Sequence, residues 1–210
     1  MLRRTAPIHL GGLQDPCVGI LCAYEIEQKE FVQIIHNREN HWLTLSTIGA
    51  NEGEVFVFDS LYQSVSESVQ NQIAALFSSS AKEIKMNFVS VQKQSGVSDC
   101  GLYAIAFATA LVFGHNPGCY VFQQNKMRRH LYNCITQGAL EMFLVEKGND
   151  LESSCSQSFG IHCIYRMPEI TGVPMVECSN CNEWYHLSCT DVPSEVLLNE
   201  SLPWICHICK

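Results

Sequence analysis

The sequence predicts an α+β fold followed by a small metal-stabilised module, and three observations carry that reading. Short β-favouring runs cluster between residues 31 and 91, whereas the strongest apolar helical run, Cys100–Phe113, comes after them; helices and strands partly segregated in this way argue α+β rather than a doubly wound parallel sheet. Cys17, Cys22, Cys100, Cys119 and Cys134 are dispersed, but the other seven cysteines fall between Cys155 and Cys209. The polar stretch Lys147–Ser154, with Gly148 as a helix stop, lies where cysteine density changes. It divides the chain into a first domain at 1–147, a linker at 148–160 and a second domain at 161–210.

With 210 residues, 47% of them apolar, the chain has room for one medium domain and one small one. No stretch reaches the roughly 18 uninterrupted apolar residues a membrane span needs. Arg3-Arg4 is followed by no apolar h-region, so no secretory signal is expected and an intracellular protein is. Formal charge is −8, with 11 basic against 14 acidic residues in 1–150 and 2 against 7 in 151–210. No basic stripe exists to neutralise phosphates, which disfavours direct nucleic-acid binding. The acidic C-terminal module suits a basic partner.

Taken in order, Phe31–Ile35 reads as a strand, Asn37–Asn40 as a turn, and His41–Thr47 and Val55–Phe58 as two further strands of a meander. Ser64 and Glu67 have the spacing of a capping box, ahead of a helical face of Val69, Ile73, Leu76 and Phe77. Ile84–Val91 reads as a strand. A helix is expected at Cys100–Phe113, closed by Gly114 and Asn116-Pro117, and another over Asn125–Leu144 with Gly138 as an interruption.

The segment from Gln94 to Ala104 runs from a polar, glycine-containing loop straight into the apolar helix, with Cys100 at the junction. Unpaired backbone N–H groups and the positive dipole end at a helix N-terminus favour thiolate over thiol. Ser98 or Asp99 is positioned to cap this helix, and Gly101 leaves room for a substrate backbone near the sulfur. His41 opens one predicted strand and Asp59 ends the next, so antiparallel pairing sets a base beside the carboxylate that orients it. Gln94 precedes the cysteine by six residues, where its amide and the Cys100 N–H suit an oxyanion.

In the tail, Cys163, Cys178-x-x-Cys181, His186-x-x-Cys189 and Cys206-x-x-Cys209 have the spacing of tetrahedral zinc ligands. A module this small buries little core, so metal binding would supply its folding energy. The spacing closes the zinc shell, which argues against a metal-dependent hydrolase.

Two resemblances follow from these residues. His41-Trp42, the apolar run ending in Asp59-Ser60, and Gln94 followed by Asp99-Cys100-Gly101 resemble, in that order, the sentrin/SUMO-specific proteases and their ubiquitin-like-protease relatives, over about residues 10–145. The resemblance implies a papain-like fold with Cys100 as nucleophile, His41 as general base and then acid, Asp59 as orienter and Gln94 as oxyanion donor. It also implies that Trp42 covers a narrow channel for the modifier's Gly-Gly tail, and that cleavage after the terminal glycine, deSUMOylation among its forms, passes through a thioester. Family members carry a preceding helical segment with a second Trp. Here no Trp precedes Trp42, Leu10–Pro16 would be the last part of that segment, and the domain is expected to be N-terminally short. The tail resembles a PHD finger, with Trp184-Tyr185-His186 and Trp204 as its aromatic signature. By that resemblance one zinc takes Cys178, Cys181, Cys206 and Cys209. The other takes Cys163, His186 and Cys189, and its eighth position holds Tyr165 rather than Cys, leaving the site incomplete unless His162, Cys155 or water fills it. Such fingers read histone tails, which makes Trp184 and Met175 candidate peptide contacts and a nuclear location the expectation. The reading is therefore a cysteine protease of ubiquitin-like modifiers targeted by a finger. The alternative is an inactive remnant acting as a modifier- or chromatin-binding adaptor.

Overall fold

Short β-favouring runs between positions 30 and 58 build the meander that the sequence predicts, and that meander is the frame for everything near Cys100. The computed structural model describes residues 30–77, 81–148, 155–199 and 201–210, and the backbone of 22–26. Leu10–Pro16 and residues 149–154 of the expected linker lie outside the described residues, while Cys155 onward is a strand. The chain divides into two compact units, Met1–Val69 with Lys85–Gln157, and Gln70–Ile84 with Ser158–Lys210.

In the first unit the sheet runs β1 (Cys22–Ile26), β2 (Glu30–His36), β3 (Trp42–Ser46) and β4 (Glu54–Phe58), each antiparallel to the last. After α1 (Glu67–Leu76) comes β5 (Glu83–Phe88), which pairs parallel with β4 through Glu54↔Lys85 to Val57↔Phe88. The predicted capping box is misplaced. The helix begins at Glu67, directly after Ser66, so Ser64 stands clear of its first turn. Val69 and Ile73 are buried as expected, but Leu76 is 38% exposed and Ala74 is buried instead.

Helix α2 (Cys100–Val112) packs against this sheet. It is apolar nearly all round, and Leu102, Tyr103, Ala104, Ala106, Phe107, Ala108, Thr109 and Ala110 are buried, as befits a helix enclosed by its neighbours. Phe58, Tyr103, Phe107, Phe122, Met127 and Phe143 form one core cluster around it. Burying a ring such as Phe107 contributes about 1.5–3 kcal/mol. Thr44 Oγ1 on β3 donates to the Ala104 carbonyl at 2.7 Å, tying strand to helix.

The chain continues through β6 (Tyr120–Phe122), α3 (Gln124–Gln137) and β7 (Val145–Lys147), with β6 antiparallel to β7. The helix expected to reach Leu144 thus ends at Gln137. Gly138 adopts φ 65°, ψ 22°, and the N–H groups of Gly138 and Ala139 bond back to the carbonyls of Ile135 and Cys134. This left-handed cap terminates the helix where the sequence reading allowed only an interruption.

In the second unit, β8 (Cys155–His162) meets β9 (Met167–Pro168) through Ile161↔Pro168 and His162↔Met167. A ribbon of β10 (Met175–Glu177) and β11 (Trp184–His186) and the short α4 (Ser194–Leu198) complete it. Cys163, Cys178, Tyr185, Trp204 and Cys206 form its small core. Among the described residues, no helix is long and apolar enough to cross a membrane.

Candidate active site and zinc centres

His41 sits immediately ahead of β3 because the preceding turn is tied on both sides. Its backbone N–H donates to Asn37 Oδ1 at 2.9 Å, its carbonyl accepts the Asn37 N–H at 2.9 Å, and Arg38 and Asn40 take positive φ to close the turn. Asp59 follows β4 directly, and the β3–β4 register (Thr44↔Phe58, Leu45↔Val57) brings the two strand ends together. His41 Nε2 lies 2.9 and 2.8 Å from the two oxygens of Asp59. Both residues are buried, at 5% and 4% exposure. Asp59 Oδ1 also accepts the backbone N–H groups of Leu61 at 2.7 Å and Tyr62 at 2.9 Å. A carboxylate so placed accepts only, so Nε2 carries the hydrogen and the lone pair of neutral His41 is on Nδ1. That Nδ1 is buried and has no hydrogen-bond partner in the structure. Tyr62 stands edge-on to the imidazole, ring centroids 5.0 Å apart, and Lys93 Nζ donates to the Asp59 carbonyl at 3.1 Å, holding the loop in place.

Cys100 is the first residue of α2 and is 6% exposed. Thr44 bonds to Ala104 and ties the helix to the strand, and Trp42 lies close enough to Gly101 that an added Cβ there would meet its Cδ1 at 3.5 Å. Residue 42 is thus beside 101 and 44 beside 104, so the strand end bearing His41 runs alongside the helix start bearing Cys100. The indole of Trp42 packs over Gly101 and also contacts the His36 ring at 4.7 Å.

Neither expected side-chain cap forms. Asp99 holds the N-cap position, yet its side chain makes no cap bond. It turns instead to α3, where Gln124 and Arg128 take it. The first-turn N–H groups of α2 therefore keep no side-chain oxygen on them. Gln94 is 8% exposed and oriented by two bonds: Oε1 accepts from Ser60 Oγ at 2.7 Å and Nε2 donates to the Gly96 carbonyl at 2.9 Å. One Nε2 hydrogen is left to donate. Sequence reasoning singled out His41, Asp59, Gln94 and Cys100 but missed Asn37, Tyr62, Gln124 and Arg128. Of these only Asn37 left a sequence signal, as part of the expected turn.

Two clusters of metal ligands occupy the second unit. Cys178, Cys181, Cys206 and Cys209 bring their sulfurs within 4.8 Å of one another, as do the ligand atoms of Cys163, His186 and Cys189. Cys181 and Cys206 sulfurs are 3.9 Å apart, close to the ~3.8 Å that tetrahedral Zn–S bonds of about 2.3 Å require. The Cys206 N–H donates to Cys178 Sγ at 3.3 Å. Burial pushes the Cys178 thiol up, but backbone N–H groups of Cys206, Cys181 and Asn180 outweigh it and bring it down to about 6, toward the thiolate a metal needs. Asn182, at φ 56°, closes the knuckle by donating its N–H to the Cys178 carbonyl at 2.9 Å. In the second cluster His186 Nε2 is 3.0 Å from the Pro168 carbonyl, which leaves Nδ1, 3.8 Å from Cys189 Sγ, as the ligand atom. Tyr165 is 64% exposed, and neither it, His162 nor Cys155 joins the cluster. The donor sets therefore fit one firm zinc and one weaker, three-ligand zinc.

Trp184 and Met175 share a face of the β10–β11 ribbon, since Met175 pairs with His186 and Glu177 with Trp184. Trp184 is 42% exposed there, while Tyr185, on the other face, meets Trp204 edge-on with ring centroids 5.3 Å apart.

The model of the Ulp1 protease family, C-terminal catalytic domain, matches residues 23–139, and that of the PHD-finger matches residues 163–209. No solved structure matches the chain.

Proposed function

The chain belongs to the Ulp1 protease family and is a cysteine-type peptidase with a PHD-type finger, and from that premise we propose that it hydrolyses the bond after the C-terminal Gly-Gly of a SUMO-like modifier. The observation that carries the proposal is the buried Asp59–His41 pair with its unpartnered Nδ1, in a chain whose Cys100 opens helix α2. We read this as a papain-like arrangement.

In the proposed reaction His41 Nδ1 takes the Cys100 thiol proton as the sulfur attacks the carbonyl carbon of the terminal glycine. The carbonyl electron pair moves onto oxygen, where Gln94 Nε2 and the Cys100 backbone N–H stabilise it. Collapse of the tetrahedral species returns that pair, breaks the C–N bond, and transfers the His41 proton to the departing amine. A thioester remains. Water, deprotonated by Nδ1, then attacks the thioester; the C–S bond breaks, the proton on Nδ1 returns to sulfur, and the modifier's new carboxyl group loses its remaining proton to solvent as it leaves as a carboxylate. Asp59 stays ionised throughout, holding Nε2–H and balancing the imidazolium. Trp42, packed over Gly101, suits a channel that admits residues without side chains.

The finger is proposed to target the peptidase. Its net acidity suits a basic peptide such as a histone tail, with Trp184 and Met175 on the contact face. A nuclear location accords with that role. Zinc bound by Cys178, Cys181, Cys206 and Cys209 supplies folding energy and no step of the hydrolysis.

The test is release of a fluorophore amide-linked to the C-terminal glycine of SUMO, NEDD8 or ubiquitin, comparing the wild-type chain with Cys100→Ala. Release from SUMO that vanishes in the variant is expected. No release from any of the three by a folded, zinc-loaded sample would overturn the proposal.

A further inference from the structure

The five residues between Gln94 and Cys100 form a loop gripped by one face of α3. Gln124 opens that helix, and its amide is fully used. Oε1 accepts the Ser95 N–H at 2.9 Å and the Tyr103 hydroxyl at 3.1 Å. Nε2 donates to the Ser95 carbonyl and to Asp99 Oδ2, both at 2.8 Å. An amide has two donors and two lone pairs, so none is left over. Arg128 is one turn further along the same face; it ion-pairs with Asp99 Oδ1 and reaches the Ser98 carbonyl at 3.5 Å.

These contacts decide where a negative charge goes. A carboxylate at an N-cap ordinarily turns onto the N–H groups of the first turn. There it would occupy the donors that an anionic sulfur or oxyanion needs, and set a like charge beside them. In this chain Asp99 makes no such bond, because Gln124 and Arg128 hold it against α3.

We propose that Gln124 and Arg128 are positioning residues for the chemistry of Cys100: they draw the Asp99 carboxylate off the first turn of α2 and pin the loop that spans Gln94 and Cys100. This rests on the reading of Cys100 as the nucleophile. The charged and titratable groups around the helix start are Asp99 and Tyr103 on it, His41 and Asp59 from the sheet, Lys93 before the loop and Arg128 on α3. Burial and then the Asp99 charge push the Tyr103 phenol up to about 12, so it remains a donor to Gln124 across the pH range of the test.

The experiment follows alkylation of Cys100 by iodoacetamide, mapped by peptide mass spectrometry across pH, in the full zinc-loaded chain. It reads the sulfur without turnover, and adduct formation with a modifier bearing a C-terminal electrophile is measured in parallel. Arg128→Ala is expected to move the reactivity profile up by about one pH unit and to slow reaction near neutrality about tenfold. Arg128→Lys should recover part of the loss. Adding Asp99→Asn to Arg128→Ala should bring the alkylation profile back, because the charge to be held away is gone. An unchanged profile in folded Arg128→Ala and Gln124→Ala chains would overturn the inference, as would a loss that Asp99→Asn leaves intact. A wild-type chain that forms no modifier adduct would contradict the proposed function, and the alkylation series would still decide the role of the clamp.

Discussion

At the scale of single residues, the site depends on which hydrogen each group is made to carry. Asp59 accepts two backbone N–H groups and the His41 Nε2–H, and this fixes the imidazole tautomer. Asp59→Asn should reverse that. With its oxygen kept by Leu61 and Tyr62, the amide presents N–H to Nε2 and forces the hydrogen onto Nδ1. A loss of about three to four orders of magnitude in kcat is expected, with the Tm nearly unchanged; a loss under tenfold would show that Asp59 does not set the tautomer. This part of the site was legible because each group sits at an element boundary that local pattern marks: a turn before His41, an apolar run before Asp59, a polar-to-apolar switch at Cys100. The destination of the Asp99 carboxylate was not. Its partners lie 25 and 29 residues away on α3, and a local rule prefers the cap that tertiary bonds pre-empt.

At the scale of elements, the meander and α2 were readable from alternation and apolarity, but helix ends were not. Asn125–Leu144 contains no residue that forbids helix except Gly138, and whether a glycine interrupts or terminates depends on the φ it adopts. Gly138 stands at φ 65° with nothing within 4 Å of an added Cβ, so Gly138→Ala tests conformation alone. It should cost about 1 kcal/mol, lowering the Tm by about 2–4 °C; no change would mean that the cap is not built on the left-handed residue. The capping box failed for a similar reason, since two residues three apart satisfy the motif wherever the helix starts. In the finger, the spaced pairs marked the zinc ligands, while their division into two clusters and the gap at Tyr165 came from the resemblance to a PHD finger. Tyr165→Cys is expected to raise bound zinc per purified chain from about one toward two. An unchanged content would indicate that position 165 does not bring a ligand to the metal.

At the scale of the whole molecule, two kinds of chemistry are proposed for one chain: a thiol and an imidazole that act without a metal, and a finger whose small core is stabilised by one. Chelation of zinc should abolish the finger's own thermal transition while Cys100 still reacts with a modifier probe at a rate within about twofold of the metal-loaded chain. Loss of both together would show that the peptidase depends on the finger's fold. The family assignment rests on residues 23–139, and the finger on 163–209; what joins them functionally is the proposed hydrolysis at a chosen place. In the proposed function Cys100 is a nucleophile addressed to a Gly-Gly terminus. The most direct measurement is intact-mass detection of a covalent adduct between the zinc-loaded chain and SUMO carrying a C-terminal electrophile, with Cys100→Ala and His41→Ala alongside. One SUMO added to the wild-type chain, none to Cys100→Ala, and slow addition to His41→Ala are expected. A folded wild-type chain that gains no mass, or an adduct that survives in Cys100→Ala, would contradict the proposal.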